Sequence, residues 1–425
     1  MAKETKLYEV EKPAERVILV AVDEDGSMKD DFLNELEELA QTAGAVTVGR
    51  LIQKREKRHP GHYIGKGKAE ELKLMIAALD ADGIITDDEL TPAQMRNLED
   101  MLDTKVMDRT MVILDIFAAR ALSNEGKIQV ELAQLKYRLT RLSGQGTSLS
   151  RLGGGIGTRG PGEKKLETDR RYIKERIAEL ESSLRDIETH RELLRNGRDK
   201  KGVINVSLVG YTNAGKSTLL NKLTDAGVLA EDKLFATLDT TARNLKLPGG
   251  TSIILTDTVG FIRKLPHHLI RAFRATLEEM KYADILIHVV DASNPDRAQQ
   301  MNTVYSTLKD LGCEKTPVIT AFNKMDREVE LPLPMDKAAR ETVKISALDG
   351  KGTDELATAI ETLIKSFKKH IKIVIPYSEG KLMAMVYSRC EIIHEEHRED
   401  GICADLYVDG EMENRLEPYT VLKEL

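Results

Sequence analysis

At 425 residues, 41% hydrophobic and 31% charged, the chain has material for roughly two to four globular domains, and it lacks the ~18-residue apolar run of a membrane helix. Three cysteines (Cys313, Cys390, Cys403) exclude a disulfide framework, and the start Met1-Ala2-Lys3-Glu4 carries no apolar signal segment, so the expected location is cytosolic, with peripheral membrane association as the alternative. The absence of Trp argues against broad aromatic stacking surfaces, and a net charge of −7 against a generally basic nucleic-acid binder. In chain order, residues 16–22 (RVILVAV) read as a buried strand and 31–43 as a helix. Residues 46–52 read as a second strand, 68–80 as a helix and 82–86 as a strand. Thr91-Pro92 then opens a helix, with the hydroxyl as cap and Pro at the first helical position. Alternating strands and helices predict a small α/β domain with a mostly parallel sheet over residues 1–120.

The pattern changes in residues 121–200. Ile128, Leu132, Leu135, Leu139 and Leu142 step by heptad spacings. The seam resumes at Leu166, Ile173, Ile177, Leu180, Leu184, Ile187 and Leu194. Between them, residues 144–162 (GQGTSLSRLGGGIGTRGPG) are too rich in Gly to be helix interior. The prediction is an antiparallel two-helix coiled-coil hairpin, its second helix roughly 45 Å long and ended by Asn196-Gly197-Arg198. From Lys136 to Arg176 there are 11 Lys/Arg against 4 Asp/Glu. A basic tip on a projecting rod suits contact with a phosphate backbone; the alternatives are a solvated charged face and a plain linker. Residues 368–425, with IKIVIPY at 371–377, a strand at 402–408 and a turn at Asp409-Gly410, read as a small β-rich or α+β domain.

Residues 202–367 carry the chemistry. The apolar run 203–209 leads into Gly210-Tyr211-Thr212-Asn213-Ala214-Gly215-Lys216-Ser217 and then an apolar helical pattern. This is a phosphate-binding P-loop in its strand–loop–helix setting. Backbone N–H groups curl around phosphate oxygens, the helix N-terminus adds positive potential, Lys216 pairs with the β- and γ-phosphates and Ser217 offers an oxygen to Mg²⁺. Downstream lies Phe235-Ala236-Thr237-Leu238-Asp239-Thr240-Thr241. A loop threonine here can close over Mg²⁺ and the γ-phosphate, and spacing alone leaves Thr237, Thr240 and Thr241 open. The strand 252–256 ends in Asp257-Thr258-Val259-Gly260, which puts a carboxylate near Mg²⁺ through water and a glycine amide near the γ-phosphate. After the strand at 285–293, VITAFNKMD (318–326) ends in Asn323-Lys324-Met325-Asp326. A carboxylate there accepts from guanine N1–H and its 2-amino group, a donor pair that adenine lacks. Asn323 can reach the Hoogsteen edge, the Lys324 stem can pack on the base, and Ser346-Ala347 can offer an amide to O6. Each short motif alone is weak. Five in order at strand C-termini, where open α/β sheets bind ligands, point to a guanine-nucleotide domain on a doubly wound, mostly parallel sheet.

This ordered set resembles the translation-factor class of P-loop GTPases, and over nearly the whole chain it resembles the HflX family. GYTNAGKST (210–218), LFATLDTTAR (234–243), DTVGFIRKLPH (257–267) and GGGIGTRGPGEKKLETDRR (153–171) carry the likeness. YIGKGKAEEL (63–72) and RTMVILDIFAARA (109–121) extend it into the N-terminal domain. The resemblance implies a GTPase that binds the 50S ribosomal subunit and its rRNA through the N-terminal domain and hairpin, and that splits stalled or stress-damaged ribosomes. A monomer is expected. The resemblance also implies that Thr237 is the Mg²⁺-binding switch threonine. Lys216, Thr237 and Gly260 are then the expected catalytic groups, and Ser217, Thr237 and (through water) Asp257 the Mg²⁺ ligands. GTP or GDP contacts are expected from Gly210, Tyr211, Thr212, Asn213, Ala214, Gly215, Lys216, Ser217 and Thr218. Further contacts are expected from Phe235, Ala236, Thr237, Leu238 and Asp239, from Asp257, Thr258, Val259 and Gly260, from Asn323, Lys324, Met325 and Asp326, and from Ser346, Ala347 and Leu348.

Phe261 stands directly after Gly260, where many GTPases place a Gln that orients the attacking water. A phenyl ring cannot do so, which predicts slow intrinsic hydrolysis and stimulation by a partner. Asn213 has two readings, a K⁺ site against the phosphates or a purely structural role in the loop. The spacing Cys390-x₃-His394-x₂-His397-x₅-Cys403 does not match zinc motifs and is read as no site. His267-His268 read as exposed polar residues and Cys313 as a small core residue. Competing functions are an rRNA-maturation or assembly GTPase, a P-loop kinase, which the guanine-selecting NKMD disfavours, and a nucleotide-regulated coiled-coil scaffold.

Overall fold

The computed structural model describes residues 14–24, 33–142, 161–199, 204–224, 234–266, 269, 279–329, 331–367, 369–408 and 410–421. The chain forms two compact units, Met1–Leu245 with Ile253–Gly350, and Lys246–Ser252 with Lys351–Leu425.

The first unit begins with β1 (Arg16–Asp23), α1 (Asn34–Thr42), β2 (Val46–Lys54), α2 (Lys66–Leu79), β3 (Gly83–Thr86), α3 (Pro92–Leu102), β4 (Lys105–Asp108) and α4 (Arg109–Arg120). The strands pair in parallel in the order β2-β1-β3-β4. Val17 through Ala21 are fully buried, which is why β1 reads as an unbroken apolar run rather than an alternating one. The Thr91 side chain accepts from Gln94 N–H and Gln94 reciprocates, so the predicted start of α3 is a capping box with Pro92 behind it. The sequence reading missed β4. Its four residues run straight into α4, with Asp108 as the cap accepting from Met111 N–H, so no turn residue separates strand from helix.

The hairpin helices are α5 (Asn124–Leu142) and α6 (Pro161–Asp199). Glu125 pairs with Arg191 at 2.7 Å and Glu131 with Arg176 at 2.7 Å, so one helix ascends as the other descends. Leu132 and Leu180 are buried seam positions. With 39 residues α6 extends about 58 Å, longer than predicted, because Asn196-Gly197-Arg198 does not stop it. A single Gly costs only ~1 kcal/mol in a helix. The Gly-rich tip at 143–160 lies outside the described residues.

The same unit holds β5 (Ile204–Gly210), α7 (Lys216–Thr224), β6 (Thr241–Lys246), β7 (Ser252–Asp257), β8 (Ile285–Asp291), α8 (Arg297–Asp310), β9 (Val318–Asn323) and β10 (Glu341–Lys344). Their order is β10-β9-β8-β5-β7-β6, parallel from β10 through β7. Gly210, Asp257, Asp291 and Asn323 therefore come to one edge, the carboxyl ends of β5, β7, β8 and β9.

The second unit contains α9 (Thr353–Phe367), β11 (Lys369–Ile375), α10 (Gly380–Arg389), β12 (Glu391–Arg398), β13 (Gly401–Val408) and α11 (Gly410–Leu416). Its sheet is antiparallel in the order β11-β13-β12, an α+β arrangement over a core that includes Ile373, Val386, Leu406 and Met412. Contacts assign α9 to this unit, where Glu361 accepts from Gly249 N–H at 3.0 Å, whereas the sequence reading closed the nucleotide domain after it. Gly410 opens α11 instead of completing a turn. Among the described residues, no group of three or more His, Cys, Asp or Glu is placed to hold a metal ion. Cys313 is buried, as read, and His267-His268 fall outside the described residues.

Arg109 is a fully buried cation of the first unit. Its guanidinium donates to Asp87 Oδ1 at 2.8 Å, with Asp87 fully buried, and pairs with Glu35. Arg109→Met would remove the cation buried between those carboxylates, leaving Glu35 without an ion-pair partner and Asp87 with Lys264 alone, at a cost of about 3–5 kcal/mol. Urea unfolding followed by circular dichroism measures this, and a loss below ~1 kcal/mol would contradict the assignment.

Candidate nucleotide site

The phosphate end is built where β5 gives way to α7. Gly215 has φ +94°, and a side chain there would collide with the Asn323 amide, so the loop needs glycine at this point. Lys216 Nζ donates to Tyr211 O at 2.9 Å and Gly210 O at 3.2 Å and faces a cavity lined by Thr212, Asn213, Ser217, Thr237 and Gly260. A Cβ at Gly260 would sit 2.8 Å from Thr212 Cα and 3.0 Å from Lys216 Nζ. The DTVG segment thus approaches the P-loop closely only because it ends in glycine. Two backbone hydrogen bonds lock that approach: Phe261 N–H to Gly210 O at 3.0 Å and Thr212 N–H to Phe261 O at 2.7 Å.

Three oxygens meet beside Lys216. Ser217 Oγ donates to Asp257 Oδ2 at 2.6 Å and lies 2.6 Å from Thr237 Oγ1. Of the three threonines that spacing left open, Thr237 is the one joined to Ser217. Asp257 Oδ1 and Thr212 Oγ1 are buried with no hydrogen-bond partner, although a buried polar atom without a partner is costly. Burial pushes the Asp257 carboxyl up, opposed by the Lys216 ammonium and by hydroxyls of Ser217 and Thr237. Burial likewise pushes Lys216 down to about 8, with Asp257 opposing the shift. A small hard cation among these oxygens and phosphate oxygens at Lys216 would satisfy both groups, so the donor set fits Mg²⁺.

The base-selecting elements adjoin this cavity. Asn323 is buried and donates to Ala214 O at 2.8 Å while accepting from Ala347 N–H at 2.9 Å, which ties β9 to the P-loop and to the Ser346-Ala347 loop. Lys324, at φ +63°, pairs with Asp291 at 2.7 Å. Asp326 is exposed and accepts from Ser346 Oγ at 2.6 Å, and this bond holds its carboxyl below the ordinary range. Leu348 is also exposed. Asn213 has φ +61°, a conformation Asn tolerates better than most residues, which accords with the loop-shaping reading.

Other predicted contacts turn away from the cavity. Leu238 and Val259 are buried among apolar side chains, and Met325 packs by Val290 and Phe322. Tyr211 directs its hydroxyl to Glu35 and accepts from Arg263 N–H at 2.8 Å. Phe235 does line the cavity, and its ring meets that of Phe117 in a T-shaped arrangement, centroids 4.8 Å apart. The Asp239 carboxylate binds Leu122 and Ser123. Lys264 donates to Asp87 and Asp88 at 2.6 Å each. The sequence reading did not pick out Glu35, Asp87, Ser123 or Lys264. Their partners lie far away in the chain, and the one local sign was an acidic pair at the end of β3.

Three family models match in succession: "GTP-binding GTPase N-terminal" over residues 30–118, "GTP-binding GTPase Middle Region" over 120–198 and "50S ribosome-binding GTPase" over 205–324. The GTPase HflX of Lacrimispora saccharolytica is 58% identical over 411 residues, 96% of this chain and 97% of that one. The chain belongs to the HflX family. It is a GTPase, with a nucleotide domain of the 50S ribosome-binding kind. The family's Escherichia coli (strain K12) member is 41% identical over 392 residues, 91% of this chain and 92% of that one. A GTP-binding protein from the archaeon Sulfolobus solfataricus, solved in complex with GDP, is 25% identical and covers 83% of this chain and 99% of that one, with a TM-score of 0.43.

Because Ser346 Oγ aims the Asp326 carboxylate, Ser346→Ala is expected to weaken GDP binding by roughly three- to tenfold. Fluorescence titration with a labelled GDP measures it, and unchanged affinity would contradict the role.

Proposed function

We propose that the chain is a Mg²⁺-dependent GTP switch that binds the large ribosomal subunit and splits stalled or stress-damaged ribosomes, with hydrolysis stimulated by the ribosome. The meeting of Ser217, Thr237 and Asp257 beside Lys216 carries the reading. In this reading Lys216 holds the β- and γ-phosphate oxygens, and Ser217 and Thr237 hold the metal directly. Asp257 holds it through water. Gly260 offers its amide to the γ-phosphate. Bound Mg²⁺ would neutralise charge on the phosphates. Asp326 and Asn323 select guanine. The long hairpin in the same unit as the nucleotide domain, with 11 Lys/Arg against 4 Asp/Glu around its tip, supports a large RNA-rich partner.

Phe261 supports dependence on that partner. Its ring is fully buried in the apolar core and cannot order a water at the γ-phosphate. Phe261→Gln is therefore expected not to raise intrinsic hydrolysis, and to lower stability by about 1–3 kcal/mol through a buried amide. A single-turnover GTPase assay and thermal unfolding check both. An intrinsic rate raised about tenfold or more would contradict this.

Gradient sedimentation with intact ribosomes under GDP, GTP and a non-hydrolysable analogue, alongside GTPase rates with and without ribosomes, tests the function. The expected result is analogue-dependent association with the large subunit, loss of intact ribosomes and a raised hydrolysis rate. Binding only to immature particles, or equal rates with and without ribosomes, would overturn it.

A further inference from the structure

Thr237 is held on both sides by elements that lie before residue 130 in the chain. Two residues ahead of it, Phe235 is buried at φ +53°, its ring against Phe117 of α4. Two residues behind it, Asp239 Oδ2 accepts from Leu122 N–H at 2.9 Å and Ser123 N–H at 2.8 Å, and Oδ1 accepts from the Ser123 hydroxyl. Ser123 Oγ in turn accepts from Gly126 N–H at 2.9 Å, which makes Ser123 the cap of α5, the first helix of the hairpin. The carboxylate therefore sits on the positive end of that helix and is held by three donors. Gly126 leaves room for it: a Cβ there would overlap Asp239 Oδ1.

We propose that Asp239 is a positioning residue that makes closure of Thr237 over the nucleotide and fixation of the hairpin root one equilibrium. This rests on the reading of Thr237 as the threonine that senses the γ-phosphate. Only Leu238 separates Thr237 from Asp239, at most ~7 Å of chain, so a shift at either end cannot be absorbed between them. A triphosphate that holds Thr237 holds Asp239 on α5. By reciprocity, a partner that fixes the hairpin root raises affinity for triphosphate over diphosphate.

Gly126→Ala isolates the tie. Alanine is the better helix former, so α5 itself is not weakened, and the residue lies outside the nucleotide-binding machinery. Its methyl displaces the Asp239 carboxylate. In the full chain with Mg²⁺, binding of a non-hydrolysable GTP analogue and of GDP is measured together with hydrogen exchange at residues 122–126. In the wild type, analogue protects those amides more than GDP does. In Gly126→Ala the analogue binds about tenfold more weakly, GDP binds within about twofold of wild type, and the protection difference disappears. Asp239→Ala gives the same loss of preference for the analogue and carries the test if Gly126→Ala misfolds. Variants that keep the wild-type analogue-to-GDP ratio and protection pattern would overturn the tie while leaving the GTP switch intact. A wild-type protein that binds neither nucleotide would overturn both.

Discussion

Asp257 is a carboxylate in the interior of a sheet edge, and burial alone would drive it toward its neutral form. Three neighbours oppose that: the Lys216 ammonium and the hydroxyls of Ser217 and Thr237. Two of them come from the P-loop where it enters α7, and the third from the loop before β6. The packing of P-loop, switch loop and DTVG segment is thereby coupled to the charge of one residue. Breaking any of the three contacts leaves a buried charge less compensated, a situation that proteins avoid at several kcal/mol. The same convergence makes the site suited to a small divalent ion, because oxygen donors already point to one place and a buried Asp257 oxygen has no protein partner.

The nucleotide elements also face the other way. Tyr211 follows the first P-loop glycine and ends on Glu35, which pairs with Arg109. Arg109 is bonded to Asp87, and Asp87 with Asp88 receives Lys264 from the segment after Gly260. Charges buried at the carboxyl ends of β3 and β4 are thus balanced partly by residues of the nucleotide domain. Gly260 and Thr237, the proposed γ-phosphate contacts, are a few residues from contacts that belong to the N-terminal sheet and the hairpin. A GTPase whose output is a change in how it grips a large partner needs such short chemical distances, because a nucleotide shifts an equilibrium only through differential contacts.

Much of this was legible because the signals are local. The P-loop, the NKMD segment and the capping box at Thr91 are contiguous residues whose chemistry works over a single turn, and they lie where their spacing placed them. β4 was not legible, since a four-residue strand fused to its helix has no periodicity of its own. The end of α6 was misread because one Gly is a weak stop against a long helical seam. Asp239 was read as a nucleotide contact from its place in LFATLDTTAR, yet its carboxylate binds Leu122 and Ser123, over a hundred positions earlier in the chain. Neither residue carries a local mark of that pairing. The choice among Thr237, Thr240 and Thr241 likewise required the distance to Ser217.

In the proposed switch, Thr237 closes the metal-bearing triphosphate site. Equilibrium binding of a non-hydrolysable GTP analogue and of GDP, with Mg²⁺ and with a chelator, to the wild type and Thr237→Ala tests it most directly. Mg²⁺ is expected to strengthen analogue binding by about tenfold or more in the wild type, and Thr237→Ala to lose most of that gain for the analogue while its GDP binding changes little. A Thr237→Ala protein with the wild-type Mg²⁺ dependence for the analogue would contradict it.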